Sequence, residues 1–256
     1  CRRMAMKPTP APPRRGRGGL PKFMLEALKH AVLDANLALP TYKLVTFTWG
    51  NVSGADREAG LMAIKPSGVA YCDLTPDDIV VLSLCSGEVI GGSLKPSSDT
   101  PTHLALYRGF ESIGGVVHTH SRWATSWGQA DREIPCLGTT HADFAYGSVP
   151  VARWLTSEEI AEDYEENTGK VIVEALGAAG RTPQNTPAIL LPGHGPFAWG
   201  KTAAEALDNA ITLEEVAKMA ASTLAINPSK APLPAPLLDK HFSRKHGPDS
   251  YYGQKA

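Results

Sequence analysis

The chain has 256 residues, 43% of them hydrophobic and 20% charged, with a formal net charge of -1. Such a length can bury a sizeable core as one domain or two small ones, and the composition excludes a wholly disordered chain; the near-zero charge excludes non-specific nucleic-acid binding by the chain as a whole. No apolar run approaches the roughly 18 residues of a membrane span, and Cys1, Cys72, Cys85 and Cys136 form no C-x-x-C pair, a pattern that reads as reduced, buried thiols of a cytoplasmic protein.

Residues 1–21 carry Pro8, Pro10, Pro12 and Pro13 among Arg14, Arg15, Arg17 and glycines. They lack periodic apolar positions and read as a disordered, basic, Pro-rich extension. No apolar stretch follows the arginines, so this is not a secretory signal; Met6 and Met24 are candidate starts. A single folded domain is expected over 22–256. From Lys22 a helix is predicted, with Met24, Leu28, Ala31, Val32 and Ala35 on one face and Pro40 closing it. Residues 44–48 read as a strand, 49–54 as a turn, 60–65 as a second strand, and Pro66-Ser67-Gly68 as a tight turn. A short turn or helix at 75–78 precedes an apolar strand at 79–84. Thr100 with Pro101 opens a helix running to about Gly109. A strand at 114–120, a helix at 121–130, a strand-like stretch at 134–137 and a polar loop at 138–143 follow. Thr156 and Glu159 form a capping box for a helix reaching Val173 or Gly177. Residues 188–191 make a buried strand, and Thr202 with Glu205 caps a helix to about Ile226. Prolines mark 228–236 as a linker, and the tail at 237–254, with His241, His246, Tyr251 and Tyr252, suits docking on a neighbour. The whole reads as one α/β domain with a mixed central sheet and helices on both faces. Neither G-x-G-x-x-G after a strand nor a Walker A motif occurs.

The chemistry centres on His118-Thr119-His120. Alternate side chains of a strand share a face, so two neutral imidazoles converge there as a half-site for a divalent metal. His194, between Gly193 and Gly195, is the candidate third ligand, because backbone free of side chains can approach something closely. Three neutral ligands leave such an ion its charge and an open position, making it a Lewis acid for an enolate or enediolate oxygen. Asn51, Lys65, Ser67 and Gly68 offer an amide, an ammonium, a hydroxyl and free backbone N–H groups. Those are parts of a phosphate cradle, although hairpin connectors would look the same. Ser97, Ser98 and Asp99 lie just before a helix N-terminus, which attracts anions; Asp99 is also an ordinary cap. A metal beside such a cradle points to a phosphorylated carbonyl substrate, with Asp143, His241 and Tyr252 as candidate proton-transfer groups. H-E-x-x-H is absent.

Several blocks, taken together, resemble one family. They are Thr48-Trp49-Gly50-Asn51-Val52-Ser53, Ile64-Lys65-Pro66-Ser67-Gly68-Val69, Pro96-Ser97-Ser98-Asp99-Thr100-Pro101-Thr102-His103, residues 115–122, residues 138–143, His194-Gly195-Pro196-Phe197-Ala198-Trp199-Gly200, and residues 238–254. In order, from about Leu25 to the end, they resemble the L-ribulose-5-phosphate 4-epimerase family of the class II aldolase superfamily. The resemblance implies a class II aldolase-like α/β fold whose central mixed sheet is largely antiparallel. It implies Zn²⁺ on His118, His120 and His194 with Asp99 as the nearby carboxylate ligand; Mn²⁺ or Co²⁺ suits the same donors. It puts the substrate phosphate on Asn51, Lys65, Ser67, Gly68, Ser97 and Ser98. Asp143 and Tyr252 become an acid/base pair on opposite faces of the substrate, and His241 helps from a neighbouring subunit of a homotetramer. The implied reaction converts L-ribulose 5-phosphate to D-xylulose 5-phosphate by retro-aldol cleavage and re-addition across C3–C4, a step of both arabinose and ascorbate catabolism. Three places depart from the family: residues 1–21 have no counterpart in it, and two lie within the domain. Trp123 and the Leu191-Pro192-Gly193 stretch stand where further histidines are common. The competing readings are a class II sugar-phosphate aldolase of the L-fuculose-phosphate type, whose key acid/base is a glutamate near the place of Asp99, and a non-catalytic scaffold like the adducin head, which lacks the metal histidines.

Overall fold

Alternation along the strands decides how the layers assemble. The computed structural model describes residues 22–247, 250 and 251; the basic extension at 1–21 and Tyr252 lie outside them. Among the described residues, seven strands form one sheet: β1 (Asn51–Asp56), β2 (Leu61–Ile64), β3 (Val80–Ser83), β4 (Val89–Gly91), β5 (Gly115–His118), β6 (Ala188–Leu190) and β7 (Pro196–Gly200), in the spatial order β4-β3-β2-β1-β5-β7-β6. Among the described residues every strand pair is antiparallel, and the one parallel pairing is the isolated bridge Val151–Leu190. The sheet therefore lies at the antiparallel end of the expected mixed arrangement.

Leu61, Ala63, Val117, Ala188, Leu190 and Ala198 face one apolar cluster, while Met62, Ile64, Val116, Ile189, Phe197 and Trp199 face another. Period-two alternation of this kind makes a sheet that is apolar on both sides and must be covered on both. The first face is covered by α1 (Lys22–Thr41), α3 (Arg122–Gln129) and α7 (Ala203–Ile226), the second by α2 (Thr100–Gly109) and α6 (Tyr164–Ala178). Two further helices, α4 (Thr139–Phe144) and α8 (Ala235–His246), pack against each other, and α5 (Ser157–Ala161) precedes α6.

Several expectations are corrected. Residues 44–48 are not a strand but a turn, with Lys43 at φ 58° and Phe47 at φ 54°; left-handed residues break extended geometry. The first strand instead occupies 51–56, inside the stretch whose Asn, Ser and Gly read as a turn. Gly54 is required there because α1 presses on it: a Cβ would come 2.9 Å from Val32 Cγ2. Residues 134–137 make only the single bridge Ile134–Val149, and the expected loop at 138–143 is mostly α4. The capping box at Thr156 and Glu159 is present, but its helix stops at Ala161 and restarts after Asp163, which is left-handed at φ 50°. The tail after the prolines folds as α8. Of the described cysteines only Cys136 is buried, whereas Cys72 and Cys85 are exposed, contrary to the expectation of buried thiols. No helix among the described residues is long and apolar enough to cross a membrane.

One long-range contact fixes the segment just after the histidine pair. Glu214, on α7, accepts the backbone N–H groups of Trp123 and Ala124, each at 2.9 Å. These are orphan donors of the first turn of α3, whose N-cap Ser121 makes no side-chain cap bond. Glu214→Ala leaves both donors unpaired and is expected to cost about 3 kcal/mol in urea unfolding; a loss within experimental error would contradict this role.

Candidate metal and anion site

The register of β1 against β5 places Asn51 opposite His118, at the edge where both strands give way to loops. His118 is buried, and its Nδ1–H donates to the Pro196 carbonyl at 3.0 Å, leaving the Nε2 lone pair facing outward. Phe197 of β7 stacks on the same ring at 4.2 Å and 17°. Two residues on, His120 brings its Nε2 to 3.2 Å from that of His118. His194 arrives on the turn between β6 and β7, with Gly193 at φ 63°. The three ring centroids form a triangle with sides of 5.1, 4.8 and 4.9 Å, and their candidate donor atoms lie within 4.8 Å of one another.

These residues fit a divalent cation. Tetrahedral coordination at about 2.0–2.1 Å separates nitrogen donors by roughly 3.4 Å, close to the His118–His120 spacing. His194 Nδ1 is buried with no hydrogen-bond partner, an arrangement that costs free energy unless something completes it. Burial, and then the neighbouring imidazoles, hold His194 down to about 4, and burial, then the neighbouring His118 ring, also lower His120. Both rings are thus neutral at pH 7, the state in which an imidazole can donate a lone pair to a cation.

Asp99 sits at the start of α2, its Oδ2 accepting Asn51 Nδ2 at 2.6 Å. Burial opposes its charge, but nearby imidazoles and the Asn51 amide outweigh burial and hold the carboxyl below its ordinary range. Asn51 also donates to Ser97 Oγ at 3.1 Å, while its own Oδ1 is buried and unpartnered. Opposite the histidines, two loops are zipped together: Ser67 N–H donates to the Lys95 carbonyl at 3.0 Å and Ser97 N–H to the Lys65 carbonyl at 3.1 Å. This pairing brings Lys65, Ser67 and Gly68 beside Ser97 and Ser98. Lys65 is 1% exposed, and burial lowers its pKa.

A cavity of about 600 Å³ joins the two halves. Asn51, Lys65, Ser67, Gly68, Ser97, Ser98, Asp99, His118, His120 and His194 all line it. Thr48, Trp49, Gly50 and Pro66 line it too; only their neighbourhood in the resembling blocks signalled them. Trp123 and the 191–193 stretch, which depart from the family, do not line it. Trp123 packs on one apolar cluster and Leu191 belongs to the other. Asp143 and His241 are elsewhere. Asp143, on α4, accepts Arg244 Nε at 2.9 Å and His241 Nδ1 at 3.0 Å, both from α8 of the same chain. Its backbone carbonyl accepts His246 Nε2 at 2.9 Å. Burial raises the Asp143 pKa, but the bonds from Arg244 and His241 outweigh burial and keep it low. The resemblance expected His241 to act from a neighbouring subunit; in this chain the proline-rich segment returns α8 onto α4.

Two histidines off the cavity wall set an acid limit on stability. Burial holds His103 down to about 3 and His141 to about 4, from an ordinary 6.5. An unfolded chain protonates these rings below about pH 6.5 while the folded chain does not, so stability is full above that pH and falls as pH drops towards the folded values. Each ring is expected to cost roughly 2 kcal/mol at pH 5 relative to pH 7. Urea unfolding at the two pH values checks this, and equal stabilities would refute it.

Fold and cavity together define an antiparallel α/β protein with a three-histidine centre facing a lysine- and serine-lined rim. The chain belongs to the Class II Aldolase and Adducin N-terminal domain family, whose model matches residues 30–221. It is 57% identical over 231 residues to the L-ribulose-5-phosphate 4-epimerase UlaF of Salmonella paratyphi C (strain RKS4594), covering 90% of this chain and 100% of that protein. Among solved structures it is similar to an L-fuculose 1-phosphate aldolase, with a TM-score of 0.72 and 26% identity over 85% of this chain and 95% of the other. A second l-fuculose-1-phosphate aldolase, from Thermus Thermophilus, gives a TM-score of 0.62 and 27% identity over 79% and 97%.

Proposed function

We propose that the protein is an L-ribulose-5-phosphate 4-epimerase, an isomerase that forms D-xylulose 5-phosphate. The observation that carries this reading is one cavity with a three-imidazole cluster at one end and Lys65, Ser67, Ser97 and Ser98 at the other. The 57% identity to UlaF across that protein's whole length supports the same substrate. His118, His120 and His194 would hold a divalent cation, Zn²⁺ by this reading, with Asp99 beside them; when bound it supplies Lewis acidity for the negative charge that carbon–carbon cleavage releases.

The remaining chemistry belongs to the chain. Lys65, Ser67, Gly68, Ser97, Ser98 and Asn51 grip the phosphate. A carboxylate or phenolate base removes the C4 hydroxyl proton. The C3–C4 electrons pass to the C2 carbonyl side, leaving the enediolate of dihydroxyacetone and glycolaldehyde phosphate. The phosphate grip retains the aldehyde, which turns about its anchor and presents its other face. C3 attacks it, and the opposite acid returns a proton to the C4 oxygen. Asp143 and Tyr252 are the proposed pair and His241 their assistant. Asp143 and His241 lie off the cavity of their own chain, so the reading also calls for a homotetramer whose neighbours complete each site. We place the enzyme in the cytoplasm, with a single catalytic domain from residue 22 onward and arabinose or ascorbate breakdown as its pathway.

Incubating purified protein with L-ribulose 5-phosphate, with and without a chelator, tests the proposal. D-xylulose 5-phosphate is expected to form to equilibrium. Net accumulation of dihydroxyacetone and glycolaldehyde phosphate would assign an aldolase instead, and no turnover of any kind would point to a scaffold domain.

A further inference from the structure

Lys65 has an unusual setting for a buried ammonium. Among the described residues no carboxylate pairs with it. Its one hydrogen bond runs to the Pro66 carbonyl at 3.2 Å, and its Nζ lies 5.0 Å from the centroid of the Tyr71 ring, within cation–π reach. An aromatic face stabilises the charge without neutralising it or consuming its N–H donors, two of which stay available to an anion. Tyr71 is itself buried and does not line the cavity. Its hydroxyl is 2.8 Å from both the Trp49 and the Gly50 carbonyl oxygens and donates to that pair. The pinned turn feeds directly into Asn51, and it lies so close to β5 that a Cβ on Gly50 would come 2.7 Å from the His118 carbonyl.

We propose that Tyr71 is the positioning residue of the anion subsite: its ring holds the Lys65 ammonium towards the cavity, and its hydroxyl fixes the turn that delivers Asn51. This rests on the reading that the Lys65 end of the cavity receives the substrate phosphate, and it assigns a part to a side chain that touches no substrate.

The test is a titration of the metal-loaded protein with inorganic phosphate, followed by ³¹P NMR. Tyr71→Leu removes both ring and hydroxyl, and is expected to weaken phosphate binding by about tenfold or more, the size a desolvated cation–π contact supports. Tyr71→Phe keeps the ring and loses only the hydroxyl, and is expected to weaken binding by about threefold, between the unsubstituted protein and Tyr71→Leu. KM for L-ribulose 5-phosphate should follow the same order while kcat and bound metal per chain change little. In the unsubstituted protein, the Lys65 ε-methylene protons, assigned with Lys65→Arg, should resonate through the ring current upfield of the lysines that face no aromatic ring, Lys240 over Tyr251 being set aside; this measurement stands even if Tyr71→Leu does not fold. Unshifted Lys65 resonances, Tyr71→Phe as weak as Tyr71→Leu, unchanged phosphate affinity in Tyr71→Leu, or no phosphate binding by the unsubstituted protein would each overturn the proposal. The titration needs no turnover. Should the variants rank as expected while L-ribulose 5-phosphate stays unconverted, the epimerase reading falls and the role of Tyr71 stands.

Discussion

Replacing His194 by alanine is expected to lower epimerase activity by a factor on the order of 10³ or more, because Lewis-acid stabilisation of developing charge amounts to several kcal/mol. The geometry makes this the most damaging single change. His118 is locked by the Pro196 carbonyl and the Phe197 ring, and His120 follows it on the same segment, so those two imidazoles stay together whatever happens elsewhere. Only His194 comes from a separate turn, and only it closes the triangle. A two-histidine remnant offers a cation one bidentate edge, with affinity falling accordingly. Chelation of the unsubstituted enzyme is expected to produce the same loss, reversed by Zn²⁺, Mn²⁺ or Co²⁺, whereas added metal should not rescue His194→Ala at the same concentration. Metal analysis beside the rate assay checks both arms. Full activity after chelation, with metal absent by analysis, would remove the cation from the reaction.

The histidine pair was legible in the sequence because H-x-H closing an apolar run puts two imidazoles at one strand end, although the strand expected over 114–120 stops at His118 and His120 lies just beyond it. His194 was legible for a related reason, since flanking glycines mark a turn whose side chain is free of the core. The rim on the other side was less so. Lys65, Ser67, Ser97 and Ser98 are 30 residues apart in two groups, and the loops that carry them meet only through the 65–97 backbone bonds, which no local pattern encodes. Tyr71 is silent in the sequence for the same reason. The strand errors have a different origin. Leu44, Val45 and Phe47 have strand-like side chains, yet Phe47 ends up 79% exposed and left-handed, while the small residues of β1 look like a turn until α1 is laid across Gly54. Propensity describes a residue alone; here the layer above it decides. The antiparallel sheet and its two covering layers were foreseeable in kind, since alternating apolar faces demand both, but the polar Thr139–Phe144 stretch of α4 looks like a loop, and Pro234 and Pro236 at the start of α8 read as linker rather than as a helix N-terminus.

Asp143→Asn is the second large effect, and it separates the anchoring contacts seen in the structure from the proton-transfer role proposed for the same residue. As an anchor, the Asp143 carboxylate ties α8 to α4 through Arg244 and His241; its side chain and that of Arg244 are 13% and 23% exposed, so losing the charge should cost roughly 1–3 kcal/mol of stability. As a proton-transfer group it should carry a factor of about 10² to 10⁴ in kcat, with bound metal unchanged. Arg244→Gln discriminates, because it removes the clamp and keeps the carboxylate. Equal activity losses in the two variants would make Asp143 an anchor only; a much larger loss in Asp143→Asn would mark the carboxylate itself as the reacting group. The location of that group is then open to a direct experiment. Asp143 does not line the cavity that His194 completes in the same chain, so a catalytic Asp143 must reach the histidines of a neighbouring copy. Asp143→Asn and His194→Ala, each inactive alone, should therefore complement when dissociated, mixed and reassembled. Random assembly puts an intact Asp143 beside an intact His194 in about a quarter of the sites, and activity should recover to about that share of the unsubstituted enzyme. Failure of the mixture to recover any activity, with mixed assemblies verified by mass, would mean that no site draws Asp143 and His194 from different chains.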